Sequence, residues 1–290
     1  KKEGHSFVTR GDVDAAIAHK RHRSNLAEHW IQDEIKEGTL MVDLDGEIVG
    51  QVNGLSVHEL GDYAFGRPAR ITARTYVGTK GVIDVQREAE LAGNIHSKGV
   101  MTLAGYLAGK FAGLHPFAMS ASLTFEQTYS EIEGDSAAVA ELTAILSSLA
   151  DLPIRQSLAV TGSVNQLGEV QPIGGVNEKI EGFFESCSRR GLTGKQGVII
   201  PARNTKHLAL RRDVVEAVES GQFTVYAVNT LEEALELLTG VTAGERGIDG
   251  EYPPDTVFGR AAQRLAEMAQ AVAEWGEGEE RPGGRIITEP

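Results

Sequence analysis

The stretch that decides the fold is SLAVTGSVNQLGEVQPIGGVNEKIEGFFESCSRRG, residues 157–191. Its opening, SLAVTGSV, is apolar and partly β-branched and reads as a strand. NQLGEVQPIGG follows, with the glycine, proline and asparagine of a loop. Then Val176, Ile180, Phe183, Phe184 and Cys187 fall at i, i+4, i+7, i+8 and i+11, which is one helical stripe. Arg189, Arg190 and Gly191 suit the end of that helix, where cations meet the negative pole of the dipole and glycine accepts a left-handed turn. Downstream the alternation continues: strand GVIIP, a helix over 212–220, strand FTVYAV and helix TLEEALELL, up to Gly240. Alternating strands and helices predict an α/β domain, with α+β character where antiparallel strands join it.

Upstream, TLMVDLDGEIVGQVNGLSV alternates in period two and contains Asp45-Gly46, a two-residue hairpin signal. ARITARTYVG, GVIDVQ and MSASLTF (119–125) read as further strands, and residues 97–113 as a helix. The N-terminal segment reads as two short helices. Val13, Ala16 and Ile17 mark the first; Leu26, Trp30, Ile31 and Ile35 mark the second, with Ser24 as its cap and Gly38 as its stop. The basic run Lys20–Arg23 between them reads as a solvated helix connection. TVFGRAAQRLAEMAQAVAEW, residues 256–275, reads as a helix with Leu265, Met268 and Val272 on one side. The Gly-, Pro- and Glu-rich end beyond it reads as disordered.

The chain has 290 residues and a formal net charge of −13, which argues against a nucleic-acid surface, since that needs a basic footprint. A single cysteine, Cys187, permits no internal disulfide and reads as a packed thiol in a reducing compartment. No apolar run approaches the roughly 20 residues of a membrane span. The N-terminus lacks both an initiator methionine and the apolar core of a signal peptide, so a piece of a longer protein is expected.

The chemistry-bearing candidates lie in two segments. In EGDSAAVAEL, residues 133–142, a serine opens a helix that is apolar nearly all round, with Glu141 and Ser148 on its narrow polar edge. Asp135 or Ser136 can cap that helix, worth about 1 kcal/mol. The same geometry also offers free N–H groups and a partial positive charge, which an oxyanion requires. A nucleophilic serine further needs a base. Gly134-Asp135-Ser136-Ala137-Ala138 approaches a G-x-S-x-G elbow, but only His207 follows it, and no apolar strand runs into the turn. Lys179 is the other candidate. It sits at the edge of the Val176–Cys187 stripe, while Glu178, Glu181 and Glu185 form the wet face of that helix. Such a lysine either snorkels to water or is desolvated. At its ordinary pKa only about 0.1% is neutral at pH 7.4; lowering the pKa by about 3 units makes a usable base. His96, His58 and Glu59 show no metal-ligand spacing and read as loop or core residues. The glycines of GTKG and GGVNEK suit turns and a helix start.

Taken together, EGDSA and TGSVNQLGEVQPIGGVNEK resemble the proteolytic domain of the Lon family, the Ser-Lys dyad proteases, over roughly Gly54 to Gly240. The resemblance implies Ser136 as nucleophile, Lys179 as base and Thr161 as the threonine that hydrogen-bonds the lysine amine. The E-G-D-S-A motif is similar to the archaeal-type and Lon-like branches. Glu133 falls where bacterial housekeeping members carry an aspartate, and Glu133 and Asp135 are supporting candidates. The chain departs from the pattern at three places. Ser122 stands where a strand histidine is common, Ser163 where a glutamate is common, and Ala138 where serine or glycine is common.

The organisation this implies is a helical segment, 1–38, resembling the end of an AAA+ lid, a proteolytic domain, 39–240, and a C-terminal helix with an acidic tail, 241–290. It further implies an ATPase module upstream, since no P-loop occurs in the chain. ATP and magnesium are expected only on that module, with no cofactor or metal on this chain. The expected setting is a hexameric ring in the cytoplasm acting on unfolded protein chains, without membrane or nucleic-acid partners. A degenerate Lon-like domain that only assembles or docks a partner, and a Ser-His hydrolase, are the alternatives.

Overall fold

The computed structural model describes residues 7–111 and 117–277. Two helices come first, α1 (Arg10–Ser24) and α2 (Leu26–Glu37). Strands β1 (Glu47–Val49), β2 (Gln51–Leu60), β3 (Tyr63–Val77) and β4 (Gly81–Asp84) follow, then the short helix α3 (Val85–Glu88) and the long α4 (Asn94–Phe111). Next come β5 (Met119–Phe125), α5 (Ala138–Ala150), β6 (Pro153–Arg155), β7 (Leu158–Val160), β8 (Ser163–Val164), β9 (Val170–Gln171) and α6 (Val176–Arg190). The remainder is β10 (Gly197–Pro201), a 3-10 turn over Ala202–His207, α7 (Arg212–Glu219), β11 (Thr224–Val228), α8 (Leu231–Thr239) and α9 (Val257–Glu277).

The fold is mixed α/β. Its centre is a seven-stranded mixed sheet in the order β11-β10-β7-β2-β3-β5-β4. The β10–β11, β7–β10, β2–β7 and β4–β5 pairs are parallel, whereas β2–β3 and β3–β5 are antiparallel. Alternation along the strands feeds two cores, one on each face. Ile199, Val160 and Val52 join the apolar core around α5, α8 and α9. Val198, Ile200, Ala159 and Leu55 join the one around α6, with Ile35 of α2 and Val214 of α7. The sheet therefore separates a layer containing α5 from a layer containing α6.

Two close contacts set the height of α6 on the sheet. A Cβ built on Gly66 of β3 would fall into the carbonyl of Glu178, and one on Gly182 would fall into the backbone of Gly66. Glycine at both positions lets helix and strand backbones touch. On the other side of the site, β2 and β7 share one register pair, Asn53–Ala159. Asn53 closes that junction by donating from Nδ2 to the carbonyls of Asp43 and Gln156.

Several sequence-based expectations are corrected. Asp45-Gly46 is no hairpin: β1 pairs with β6, more than a hundred residues on. The tight hairpin is Leu60–Tyr63, between β2 and β3, with Gly61 at φ +65° as its first central residue, as a type II′ turn requires. Lys20–Arg23 is no connection but the last turn of α1, where its cations face the negative pole of the dipole. The residue capping α2 is Asn25 and not Ser24, and it does so without a side-chain bond. Leu26 and Trp30 are exposed rather than packed, while Glu28 and Gln32 are buried. SLAVTGSV is broken at Thr161-Gly162 into β7 and β8. Residues 278–290, read as a disordered tail, and 112–113, read as the end of a helix, lie outside the described residues.

Candidate active site

Ser136 ends the loop that enters α5. The helix begins at Ala138, with Ala137 at the N-cap position and no side-chain cap, so neither Asp135 nor Ser136 caps it. Instead β7's continuation serves that end. Val139 N–H donates to the Gly162 carbonyl (3.1 Å), and Gly162 N–H donates to the Ser136 carbonyl (2.8 Å). Gly134 adopts φ +89°, a conformation that favours glycine, and turns the chain into the serine. No described residue accepts from the N–H groups of Asp135, Ser136 or Ala137.

Lys179 reaches the same point from the other layer. On α6 it is 3% exposed, so it is desolvated and not snorkelling. Its Nζ lies 2.6 Å from Ser136 Oγ and 3.1 Å from Thr161 Oγ1. Thr161 Oγ1 in turn donates to the Ser136 carbonyl (3.0 Å). Burial lowers the Lys179 pKa from 10.5 to about 8, against the opposing charge of Asp135. An amine held this way is neutral in a useful fraction at physiological pH and stands within reach of a hydroxyl proton.

The supporting candidates separate. Asp135 Oδ2 accepts from Ser163 Oγ at 2.8 Å, and Ser163 also meets Gln171 Oε1 at 3.2 Å. Glu133 lines the cavity, but its Oε1 takes the Ile95 N–H at 3.3 Å and ties the loop to α4. Neither carboxylate bonds the Ser136 or Lys179 side chain. No histidine bonds Ser136 among the described residues. Ser122 sits on β5, opposite Arg74, and makes no bond to Ser136 or Lys179.

A buried cluster behind the serine loop has no sequence-level signal. His96 of α4, 1% exposed, places Nε2 3.1 Å from Asp84 Oδ2 and 3.8 Å from Glu141 Oε1. Burial works to lower its pKa, but Asp84, Glu141 and a hydrogen bond to the Gly134 backbone together raise it. Glu141, read as part of a polar edge, is fully buried, and desolvation pushes it up to about 7. Asp84 precedes His96 by 12 residues, but Glu141 is brought in only by the tertiary fold. Among the described residues no His, Cys, Asp and Glu cluster has metal-holding geometry. Glu178, Glu181 and Glu185 are half-buried rather than wet; Glu181 accepts from Arg211 N–H, and Glu185 pairs with Arg189 and Arg211. Cys187 is buried and packed as expected, and its pKa is raised by burial. No helix among the described residues is long and apolar enough to cross a membrane.

Ser136 and Lys179 open into a cavity of about 360 Å³, walled by the outer half of β2, Arg67 of β3 and the Ser130–Gly134 loop. A larger cavity, about 830 Å³, lies between α1 and the β2–β3 hairpin tip and does not reach Ser136.

The profile of the Lon protease (S16) C-terminal proteolytic domain matches residues 130–240, which contain Ser136, Thr161 and Lys179. The chain carries a Lon-family proteolytic domain. Its similarity to whole proteins extends further. A putative Lon protease homolog of Escherichia coli is 47% identical over 260 residues, 89% of this chain and 43% of that protein. A putative Lon protease homolog of Haemophilus influenzae is 49% identical over 217 residues, 74% of this chain and 36% of its own length. The archaeal Lon protease of Thermococcus kodakarensis is 32% identical over 238 residues, 81% of this chain and 34% of that protein. The chain thus spans less than half the length of these Lon relatives.

Proposed function

We propose that this Lon-type domain is a serine endopeptidase in which Ser136 is the nucleophile and Lys179 the general base. The observation that carries the reading is the 2.6 Å approach of Lys179 Nζ to Ser136 Oγ, made by an amine that is 3% exposed. Neutral Lys179 takes the hydroxyl proton as the oxygen attacks a peptide carbonyl. The ammonium returns that proton to the leaving amine, and the acyl-enzyme is hydrolysed by water that the same amine activates. Thr161 fixes the amine against the Ser136 carbonyl. The N–H groups of Asp135 and Ser136 face the forming oxyanion. Asp135 and Glu133 shape the serine loop from outside the dyad.

In the whole protein we propose that cleavage is coupled to an AAA+ ATPase module preceding residues 1–38, which would bind ATP and magnesium. The assembly would be a hexameric ring in the cytoplasm, and its substrates unfolded or damaged protein chains. A net charge of −13 supports a reading without nucleic acid. The test is cleavage of casein by the full-length protein and its Ser136→Ala and Lys179→Ala variants. Loss of roughly a thousandfold or more in either variant is expected. A wild-type rate from either would refute the dyad.

A further inference from the structure

The cavity over Ser136 contains a cation that the dyad does not use. Arg67 of β3 lines it and stands in register opposite Ser56 of β2. Both carry a buried polar atom without a partner among the described residues, Nε of Arg67 and Oγ of Ser56. Among the described residues, no group accepts a hydrogen bond from the Arg67 guanidinium and no carboxylate lies within ion-pair distance. The contrast with its neighbour is direct: Arg70, on the same strand, holds Asp43 at 2.7 Å. Burial lowers the Arg67 pKa, and among the described residues the carboxylate countering this is Glu34 of α2.

The acids around the cavity do not serve Arg67. Glu133 is bound to Ile95 N–H, Glu131 stands beside it at Gly93, and Glu59, the third acid on the cavity wall, is exposed near the hairpin tip and makes no ion pair with Arg67. Arg67 does not tune the base either, since Lys179 is set by burial and Asp135. The Nε edge of this guanidinium is cut off from water and from any described partner, and an anion entering the cavity supplies one. Planar, two-pronged donation suits a carboxylate, and the Ser56 hydroxyl adjoins as a second donor.

We propose that Arg67, assisted by Ser56, forms a substrate subsite that selects an acidic side chain, Asp or Glu, close to the bond presented to Ser136. This rests on the protease reading above and adds a charge preference to it.

The test uses the full-length Ser136→Ala protein, which binds without turnover. Acetylated and amidated fluorescent peptides carry a single Glu, Gln or Lys, walked along an otherwise neutral sequence. Capped ends leave the side chain as the only carboxylate; an uncapped neutral peptide tests capture of a chain terminus instead. At one position Glu is expected to bind about tenfold or more tighter than Gln, with Lys weakest. Adding Arg67→Met should erase that difference, and Arg67→Glu should make Lys the best binder. Arg67→Lys, which keeps a cation, should retain part of the preference, and Ser56→Ala should reduce it severalfold. Equal binding of Glu and Gln peptides at every position overturns the subsite, as does a Glu preference that survives Arg67→Met, or tighter binding of the uncapped neutral peptide than of the Glu peptide. Ser136-dependent casein cleavage without a Glu preference would sink the subsite alone. A Glu preference without Ser136-dependent cleavage would sink the protease reading alone.

Discussion

Replacing Lys179 by methionine should abolish cleavage and at the same time stabilise the fold. Burial drops the Lys179 pKa from 10.5 to about 8, which at about 1.4 kcal/mol per unit is a cost of roughly 3 kcal/mol for carrying the charged amine in the folded state. The sign follows from proton counting. Between about pH 8 and pH 10.5 the unfolded chain binds more protons than the folded one, so stability rises with pH. Below about pH 8 the wild type bears the full cost. Methionine removes it but forfeits the contacts to Ser136 and Thr161, leaving a net gain of about 2 kcal/mol at pH 7. Urea denaturation of wild type and Lys179→Met at pH 7 and pH 9.5 measures this, and the gap should narrow at the higher pH. The same shift must appear in wild-type kinetics. Roughly one tenth of the amine is neutral at pH 7 and half at pH 8, so kcat/KM should rise nearly tenfold per unit below pH 7 and level off above pH 9. A Lys179→Met protein no more stable than wild type at pH 7, with kcat/KM still climbing tenfold per unit at pH 9, would refute the buried neutral base.

Other consequences follow from the same geometry. His96→Leu should destabilise by about 2 kcal/mol, read by thermal denaturation, because it leaves Asp84 buried without its imidazole hydrogen bond; adding Asp84→Asn should recover part of the loss. Gly182→Ala should cost about 3 kcal/mol or prevent folding, since its Cβ meets the Gly66 backbone; the same change at exposed Gly191, where a Cβ meets nothing but φ is +95°, should cost only about 1 kcal/mol by the same assay. Thr161→Val should lower kcat about tenfold or more with a smaller effect on KM, and Thr161→Ser should restore most of it, because serine keeps the oxygen that holds the amine.

Much of the fold was legible because it is written in local periodicity. β5 occupies the stretch read as a strand, residues 119–125, and α6 runs Val176–Arg190 as its apolar stripe implies. What was misread depends on partners distant in sequence. Asp45-Gly46 is a sound local turn signal, but β1 finds its partner in β6. The true hairpin hides in HELGDYAFGRPAR, whose charges and proline weaken the strand pattern because its tip is exposed and part of it lines a cavity. In the site, the Lys179 side chain falls at the edge of a helical stripe, a spacing that by itself favours snorkelling over the burial the structure shows. Only the serine loop arriving from the other layer decides between them. Glu141 and His96 were illegible for the same reason: an acid on an apolar helix looks like a polar edge until Asp84 and α4 close over it.

Nucleophile position and base strength are consequently one property of this fold. Lys179 is held at its height by the backbone contact of Gly66 and Gly182, and it is desolvated because the Ser136 loop covers it. That loop is in turn fastened to Thr161-Gly162, where the strand breaks after Val160, the last residue of β7 and the last to pair with β10. A continuous strand there would keep Gly162 N–H and Thr161 Oγ1 within the sheet and leave the Ser136 carbonyl without either donor. Loosening the loop would therefore do more than move the hydroxyl: it would admit water to the amine, raise its pKa toward the ordinary value and silence the base. The interruption in SLAVTGSV, which reads as an ordinary strand, is the point at which the two layers are joined.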